Sequence, residues 1–376
     1  MKVDLIYQDS SSNKFWSIEV NKNEHTVTYG RVGTDGTSKT KSFADEEESL
    51  KQANKLVAAK KKKGYEEVSK KQQVVRDNHT FAGKPIKEFG STFNINTAIK
   101  VLAQTYDAEE SLVDKLDKLV KTKDSDKIDT LVIGSWEDAY DVEAKFILDK
   151  LIELKAQLKS LKHLFIGDMD GEECEMSWIM QTDYSDFYKH FPNLESFGVK
   201  GGQNLQLGVI NLPKLKNLVI ETGGLNKEVI EGICKSNLPS LEHLEIWLGT
   251  EDYGCNIKIA DLKPILQGKF PNLKYLGLKN YHLMDDLAVA LKDAPIISTL
   301  KTLDISMGIL KDTGAKALYE NDDLLKLDHL NCRYHFISEE WISKLKSKFS
   351  NQNINLDDNE KQYEGDEEWF YVEIGE

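Results

Sequence analysis

His163, His243 and His329 hold the same position in three strand-like strings, which raises the question of a shared metal ion. Two other strings separate each pair, so at ~4.8 Å per strand neighbouring histidines lie about 14 Å apart, against ~2 Å for a zinc–nitrogen bond. They cannot share an ion. Asp168-Met169-Asp170-Gly171-Glu172 looks like a calcium loop, but its glycine falls at the fourth position and that loop needs one at the sixth. Cys174, Cys234, Cys255 and Cys332 are well separated and form no Cys-x-x-Cys pair, so neither a disulfide framework nor a zinc knuckle is indicated. There is no Gly-x-x-x-x-Gly-Lys-Ser/Thr phosphate loop and no Gly-x-Ser-x-Gly elbow. Carboxylates are plentiful, yet nothing selects an acid–base pair among them. These residues point away from an enzyme, a metal and a cofactor.

Other residues have the composition of a binding surface. In each string the leucines point inward, so the residues between them line the opposite, concave face. One row runs Thr130, His163, Ser196, Asn217, His243, Tyr275, Thr302, His329. Beside it runs Val132, Phe165, Gly198, Val219, Glu245, Gly277, Asp304, Asn331. A third holds Lys200, Glu221, Trp247, Lys279 and Arg333. Large rings beside cations have the make-up of an interaction hot spot. We expect a protein or peptide partner on Phe165, Lys200, Glu221, Trp247, Tyr275, Lys279 and Arg333. Asp168, Glu173, Trp178 and Gln181 lie in the first long unit, where a rim loop could serve a small ligand or peptide.

The elements that position these residues repeat. Ile128, Leu161, Leu194, Leu215, Leu241, Leu273, Leu300 and Leu327 each open an L-x-x-L-x-L-like string, at spacings of 33, 33, 21, 26, 32, 27 and 27 residues. Asn353 to Leu356 adds an irregular ninth. Such spacing is that of leucine-rich repeats whose longer units carry a convex helix, as in Asp285–Leu291 and Asp312–Leu318. The stretches Phe165-Ile166-Gly167-Asp168, Glu172 to Ile179, Glu221 to Leu225, Trp247 to Thr250 and Asp304 to Gly308 are similar to a bacterial leucine-rich-repeat family of unassigned activity. It is sometimes labelled molybdate-metabolism-regulator-like, and its units resemble ribonuclease-inhibitor-type repeats. The resemblance implies a fold and no chemistry.

The chain has 376 residues, enough for two or three domains. Residues 1–75 hold 14 Lys and Arg against 11 Asp and Glu, a net of +3; the rest hold 35 against 52, a net of −17. Any polyanion should therefore meet the first 75 residues. Residues 1–45 alternate apolar and polar in short strand runs, and Ala44-Asp45-Glu46-Glu47 opens a helix that ends at Lys60–Lys63 and Gly64. Tyr29-Gly30-Arg31-Val32-Gly33, a turn at Gly36 and a closing Lys63-Gly64-Tyr65 resemble a WGR domain, with Tyr29 in place of the family's tryptophan. The resemblance implies a DNA-contacting surface, here Tyr29 and Arg31. Lys39 and Lys41 add cations that suit phosphates.

The organisation expected is a small α+β WGR-like domain (1–70), a linker (71–90) and a helical cap (91–127). An α/β leucine-rich-repeat solenoid with a curved parallel sheet and convex helices (128–356) follows, then an acidic tail (357–376) whose apolar end folds back as a capping strand. No apolar run approaches the ~18 residues of a membrane span, and Met1 to Tyr7 lacks the apolar stretch of a secretory signal. A cytoplasmic chain with reduced thiols is expected. It should act as a non-enzymatic binding or scaffold protein; the alternative is a nucleic-acid-linked regulator, with DNA or RNA at the first domain.

Overall fold

A computed structural model describes residues 2–9, 12–31, 36–63, 65–67, 76, 79–90, 94, 96–103, 110–360 and 370–375. They form two compact units, residues 1–87 with 96–98, and residues 88–95 with 99–376.

In the first unit, β1 (Lys2–Asp9), β2 (Ser12–Asn21), β3 (Glu24–Arg31), β4 (Thr37–Ser42) and the short β5 (Glu66–Glu67) form an antiparallel sheet in the order β4-β3-β2-β1-β5. Period-two alternation puts Trp16, Ile18 and Val20 on one face, where they are buried with Leu5 and with Ala53 of α1 (Glu46–Lys61). Asp45 caps that helix by accepting the Glu48 amide at 2.8 Å, and Lys60 and Lys61 occupy its last turn. Val32, Gly33 and Gly64 of the sequence motif lie outside the described residues. Part of the expected linker is ordered as a hairpin, β6 (Thr80–Phe81) and β7 (Lys84–Glu88). Its two turn residues, Ala82 and Gly83, have φ of 51° and 75°, and such left-handed pairs match the twist of the strands they join.

Among the described residues, the second unit holds ten parallel strands. They are β8 (Ala98–Val101), β9 (Thr130–Ile133), β10 (His163–Ile166), β11 (Ser196–Lys200), β12 (Asn217–Glu221), β13 (His243–Gly249), β14 (Tyr275–Tyr281), β15 (Thr302–Asp304), β16 (His329–Asn331) and β17 (Asn353–Asn355). Each pairs with its sequence neighbour, so the register stacks like positions: Leu131, Leu164, Phe197, Leu218, Leu244, Leu276, Leu303 and Leu330 form one buried spine. Among the described residues, six helices beyond α1 and α2 (Leu112–Lys121) return the chain between strands: α3 (Lys145–Glu153), α4 (Lys227–Lys235), α5 (Ile259–Leu266), α6 (Met284–Ala290), α7 (Asp312–Glu320) and α8 (Glu339–Lys348). The result is a solenoid-like α/β fold that follows the five-stranded sheet of the first unit in chain order.

Three expectations need correction. The cap expected over 91–127 is not helical throughout: Ala98–Val101 is strand β8, and among the described residues its α-helix is Leu112–Lys121. Ala98, Ile99 and Val101 are all buried, as a parallel strand covered on both faces requires. The return from β10 to β11 carries short 3₁₀ turns and no α-helix, although Tyr184, Phe187, Tyr188 and Phe191 keep helical i, i+3, i+4, i+7 spacing. Residues 370–375 form no strand either. Trp369 lies outside the described residues.

The helices are capped from neighbouring repeats. Asp285 Oδ1 accepts the amides of Lys311 (2.8 Å) and Gly314 (3.0 Å) at the start of α7, and Asp312 accepts Ser338 N at 2.8 Å before α8. Removing such an acceptor leaves helix-end amides unpaired. Asp285→Ala should lower unfolding free energy by about 1–3 kcal/mol in a urea titration. The exposed neighbour change Asp286→Ala should stay within about 0.5 kcal/mol.

Candidate functional site

Strand alternation turns Trp247 away from the spine: Ile246 and Leu248 are fully buried, while Trp247 is half-buried on the sheet face opposite the helices. The ladder sets Trp247 beside Lys279, Glu245 beside Gly277, and His243 beside Tyr275. Glu245 is the hub. One carboxylate oxygen accepts from Lys279 Nζ at 3.0 Å and Trp247 Nε1 at 2.9 Å. The other lies 3.4 Å from both His243 Nε2 and the Tyr275 hydroxyl. The Tyr275 hydroxyl also donates to Asp304 at 3.0 Å, and Asn331 donates to the same Asp304 oxygen at 2.9 Å. Lys279 Nζ sits 5.0 Å from the centre of the Trp247 ring, and the His243 and Tyr275 rings stack at 3.9 Å. Gly277, between Glu245 and Asp304 in the row, leaves the space where the Tyr275 ring lies.

Three groups of this network are held in one protonation state. Burial alone would raise the Glu245 carboxyl, but Lys279, His243 and Trp247 more than reverse that and hold it well below the usual carboxylate range. Burial would lower the Lys279 ammonium, yet Glu245 and Asp304 keep it above its ordinary value. Burial, then Asp304 and Glu245, pushes the Tyr275 phenol well up. None of the three changes charge near neutral pH, which suits holding a partner in register better than moving protons.

Of the seven residues nominated for this face, Trp247, Tyr275 and Lys279 come together. Phe165 and Glu221 do not belong to an open surface: they are 0% and 4% exposed. Lys200 donates to the Met169 carbonyl at 2.5 Å, and Arg333 is engaged by Asp358 (2.5 Å) and Glu373. Glu245, Asp304 and His243 were missed. The legible signal was two carboxylates flanking Gly277 in an otherwise uncharged row.

In the rim loop, Asp168 pairs with Lys100 at 2.9 Å, and Glu173 accepts the Ser135 hydroxyl at 2.8 Å. Gln181 is fully buried: it accepts from Tyr184 at 2.6 Å and donates to the Lys200 carbonyl at 2.7 Å, so it is an internal strut and not a ligand contact. Trp178 is 53% exposed. It borders an open cleft of about 560 Å³ whose walls include Gln203, Asn204, Gln206, Asn226 and Tyr253. Among the described residues no group of three His, Cys, Asp or Glu is placed to hold a metal ion. No described helix is long and apolar enough to cross a membrane.

In the first unit Tyr29 pairs with Trp16 on one side and Thr37 on the other, so Tyr29, Lys39 and Lys41 share the sheet face that carries α1. Tyr29 is 38% exposed, with Lys39 Nζ 6.0 Å from its ring centre. Every residue of β4 is exposed, and Lys41 lies over Phe43 at 5.2 Å. Lys60 stands 4.5 Å over Tyr65 and 5.7 Å over Trp16; burial, then Lys63, lowers its ammonium from the ordinary value, with a further contribution from Lys14. Arg31, described by its backbone alone, ends β3 opposite Lys14.

The WGR domain family matches residues 1–72. This part is 52% identical over 67 residues to the uncharacterized protein YfeS and 48% identical over 66 residues to protein YehF, both of Escherichia coli K12. Each match takes 18% of this chain and only 28% and 24% of those relatives, so about a quarter of their length is spanned. The crystal structure of a Bacteroides fragilis protein, a structural-genomics target, aligns over 99% of both chains with a TM-score of 0.71 and 32% identity. With that identity over its full length, the chain belongs to the same family as the Bacteroides fragilis protein, and its first 72 residues are a WGR domain.

Proposed function

We propose that the second unit is a leucine-rich-repeat solenoid of the ribonuclease-inhibitor type, and that the protein is a non-enzymatic binding or scaffold protein with a protein or peptide partner on the concave sheet face. The Trp247–Lys279–Glu245 arrangement carries this reading. A half-exposed ring and a cation are already locked by hydrogen bonds to a common carboxylate, so little side-chain freedom is left to lose on binding. In the cytoplasm, the proposed location, Cys174, Cys234, Cys255 and Cys332 would stay reduced; burial pushes all four thiols up and away from the reactive thiolate. Trp247→Ala should weaken the partner complex by ~2 kcal/mol or more while moving the melting temperature little. A loss of ~3–5 kcal/mol in the unliganded protein would instead mark Trp247 as core and sink the binding-face reading.

A second reading, a nucleic-acid-linked regulator, rests on cations near Tyr29 in the WGR domain: Lys39 beside its ring, and Lys60, which feels both Tyr29 and Lys14. Binding to DNA or RNA should then weaken steeply with salt, and Lys39→Glu with Lys41→Glu should abolish it. Absence of binding at low salt removes this reading and leaves the first untouched.

A further inference from the structure

Residues 370–375 run along the ends of the second unit's strands, held by contacts of the kind a protein makes to a bound peptide. Phe370 packs edge-on against Phe336 at 5.1 Å under Lys311, whose Nζ is 4.6 Å from the ring centre. Val372 is buried. The Glu373 amide donates to the Met307 carbonyl at 2.9 Å, and its carboxylate meets Arg333. Asn280, itself fully buried, grips the Ile374 backbone from both sides: its Oδ1 accepts Ile374 N at 3.1 Å and its Nδ2 donates to Ile374 O at 2.5 Å. Ser177 donates to the Gly375 carbonyl, and a side chain at 375 would meet the Tyr253 ring.

Three features make this more than a packed tail. Bidentate pairing of an amide side chain with the N–H and C=O of one residue recognises extended backbone whatever its side chain, while Arg333 and the Phe336–Lys311 pair read an acidic and an aromatic residue. Next, Asn280, Met307 and Tyr334 recur every 27 residues and all take left-handed φ, at 56°, 70° and 59°. That conformation is uncommon away from glycine, and it sets Asn280 and Met307 at one place in successive units, where both bond the backbone of residues 373 and 374. Last, Ser177 and Tyr253 also wall the cleft beside Trp178, so the path of residues 370–375 leads to its mouth.

We propose that this rim channel, from Phe336 to Ser177, is a peptide-binding site occupied in cis by residues 370–375. It takes an extended partner segment with an aromatic residue three positions before a glutamate, and with small or apolar residues after it. The site uses none of Glu245, Trp247 and Lys279, so its failure would leave the function proposed above standing, and the reverse.

The test uses the full chain and a labelled synthetic peptide copying residues 370–375. Glu373→Lys with Ile374→Pro removes the Arg333 partner and the amide donated to Asn280, which frees the channel. The peptide should bind this variant at least ~tenfold tighter than the wild type, since a cis segment competes through its high effective concentration. Adding Asn280→Ala should cost roughly tenfold, the worth of one to two backbone hydrogen bonds. In the wild type, excess peptide should speed hydrogen exchange at the Ile374 amide, and a peptide with lysine for the glutamate should not. Loss of folding in the variant leaves that exchange measurement to decide. No peptide binding to a folded, opened variant, or no change in Ile374 exchange, overturns the proposal and makes the segment a structural cap. Dimers formed by segment exchange overturn it in favour of a second copy as occupant.

Discussion

Glu245→Ala is expected to destabilise the second unit by about 3–5 kcal/mol, far more than a solvent-facing carboxylate would. Its side chain is 14% exposed and so is that of Lys279, its ion-pair partner at 3.0 Å. Taking away the carboxylate strands a poorly hydrated ammonium, removes the acceptor of Trp247 Nε1 and loosens the stacked His243 and Tyr275 rings. The orphaned charge should dominate, which a double variant isolates. Glu245→Ala with Lys279→Met leaves no unpaired ion and should recover at least half of the loss. Urea midpoints for the three proteins decide the matter. A neutral Glu245→Ala, or a double variant worse than the single, would mean that the cluster is solvated and its geometry incidental.

The same network gives a signed pH dependence. The folded Glu245 carboxyl is held below its unfolded value, so its contribution is complete above the ordinary glutamate pKa of about 4.3. It is lost as pH falls from there through the folded value. Lys279 is held above its unfolded value, so its contribution is complete below about 10.4 and is lost only as pH rises through the folded value. The stability gap between wild type and Glu245→Ala should therefore be complete above about pH 5 and shrink on acidification. It should also narrow on the alkaline side, where burial makes the stranded Lys279 of the variant give up its proton earlier than an ordinary lysine.

Much of this architecture is legible in the strings themselves, because parallel neighbours pair in register and equal positions stack into rows. Tyr275 facing His243, and Lys279 facing Trp247, follow from counting along Leu241 and Leu273. What counting cannot provide is coverage. Phe165 and Trp247 both alternate outward from their leucines, yet Phe165 is fully buried and Trp247 is half-buried. The hub was hidden for a related reason. Lys279 could reach Glu245, Asp304 or water, and the choice depends on rotamers across neighbouring strands, not on sequence spacing. The path of residues 370–375 was illegible because the Asn280–Ile374 bonds join residues 94 positions apart, with no periodic signal between them. The short strand Ala98–Val101 was lost to its helix-like apolar spacing, an ambiguity that only pairing with β9 resolves.

Gly249→Ala is expected to be among the most damaging single-methyl additions to the chain. Gly249 closes β13 with φ of +80°, where an alanine side chain already costs about 1–2 kcal/mol. A Cβ there would stand 1.8 Å from the Gly223 carbonyl oxygen and 2.5 Å from the Gly224 amide nitrogen. Those atoms are backbone, so no rotamer change relieves the clash; the neighbouring loop has to move. Gly223 and Gly224 cannot retreat freely, since the Gly224 side is packed on the Tyr253 carbonyl and the Gly223 side on Ser177 and Gly375. The combined loss should exceed ~3 kcal/mol, in the range of backbone strain added to overpacking. Gly268→Ala is the control, because φ there is +88° but nothing lies within 4 Å of the added carbon. It should cost only the conformational part, about 1–2 kcal/mol. Because Gly224 also walls the cleft beside Trp178, Gly249→Ala should in addition expose that ring further, read as a red shift of tryptophan emission. If both variants shift the urea midpoint equally, the Gly223–Gly224 loop yields without cost and the rim is softer than its contacts imply.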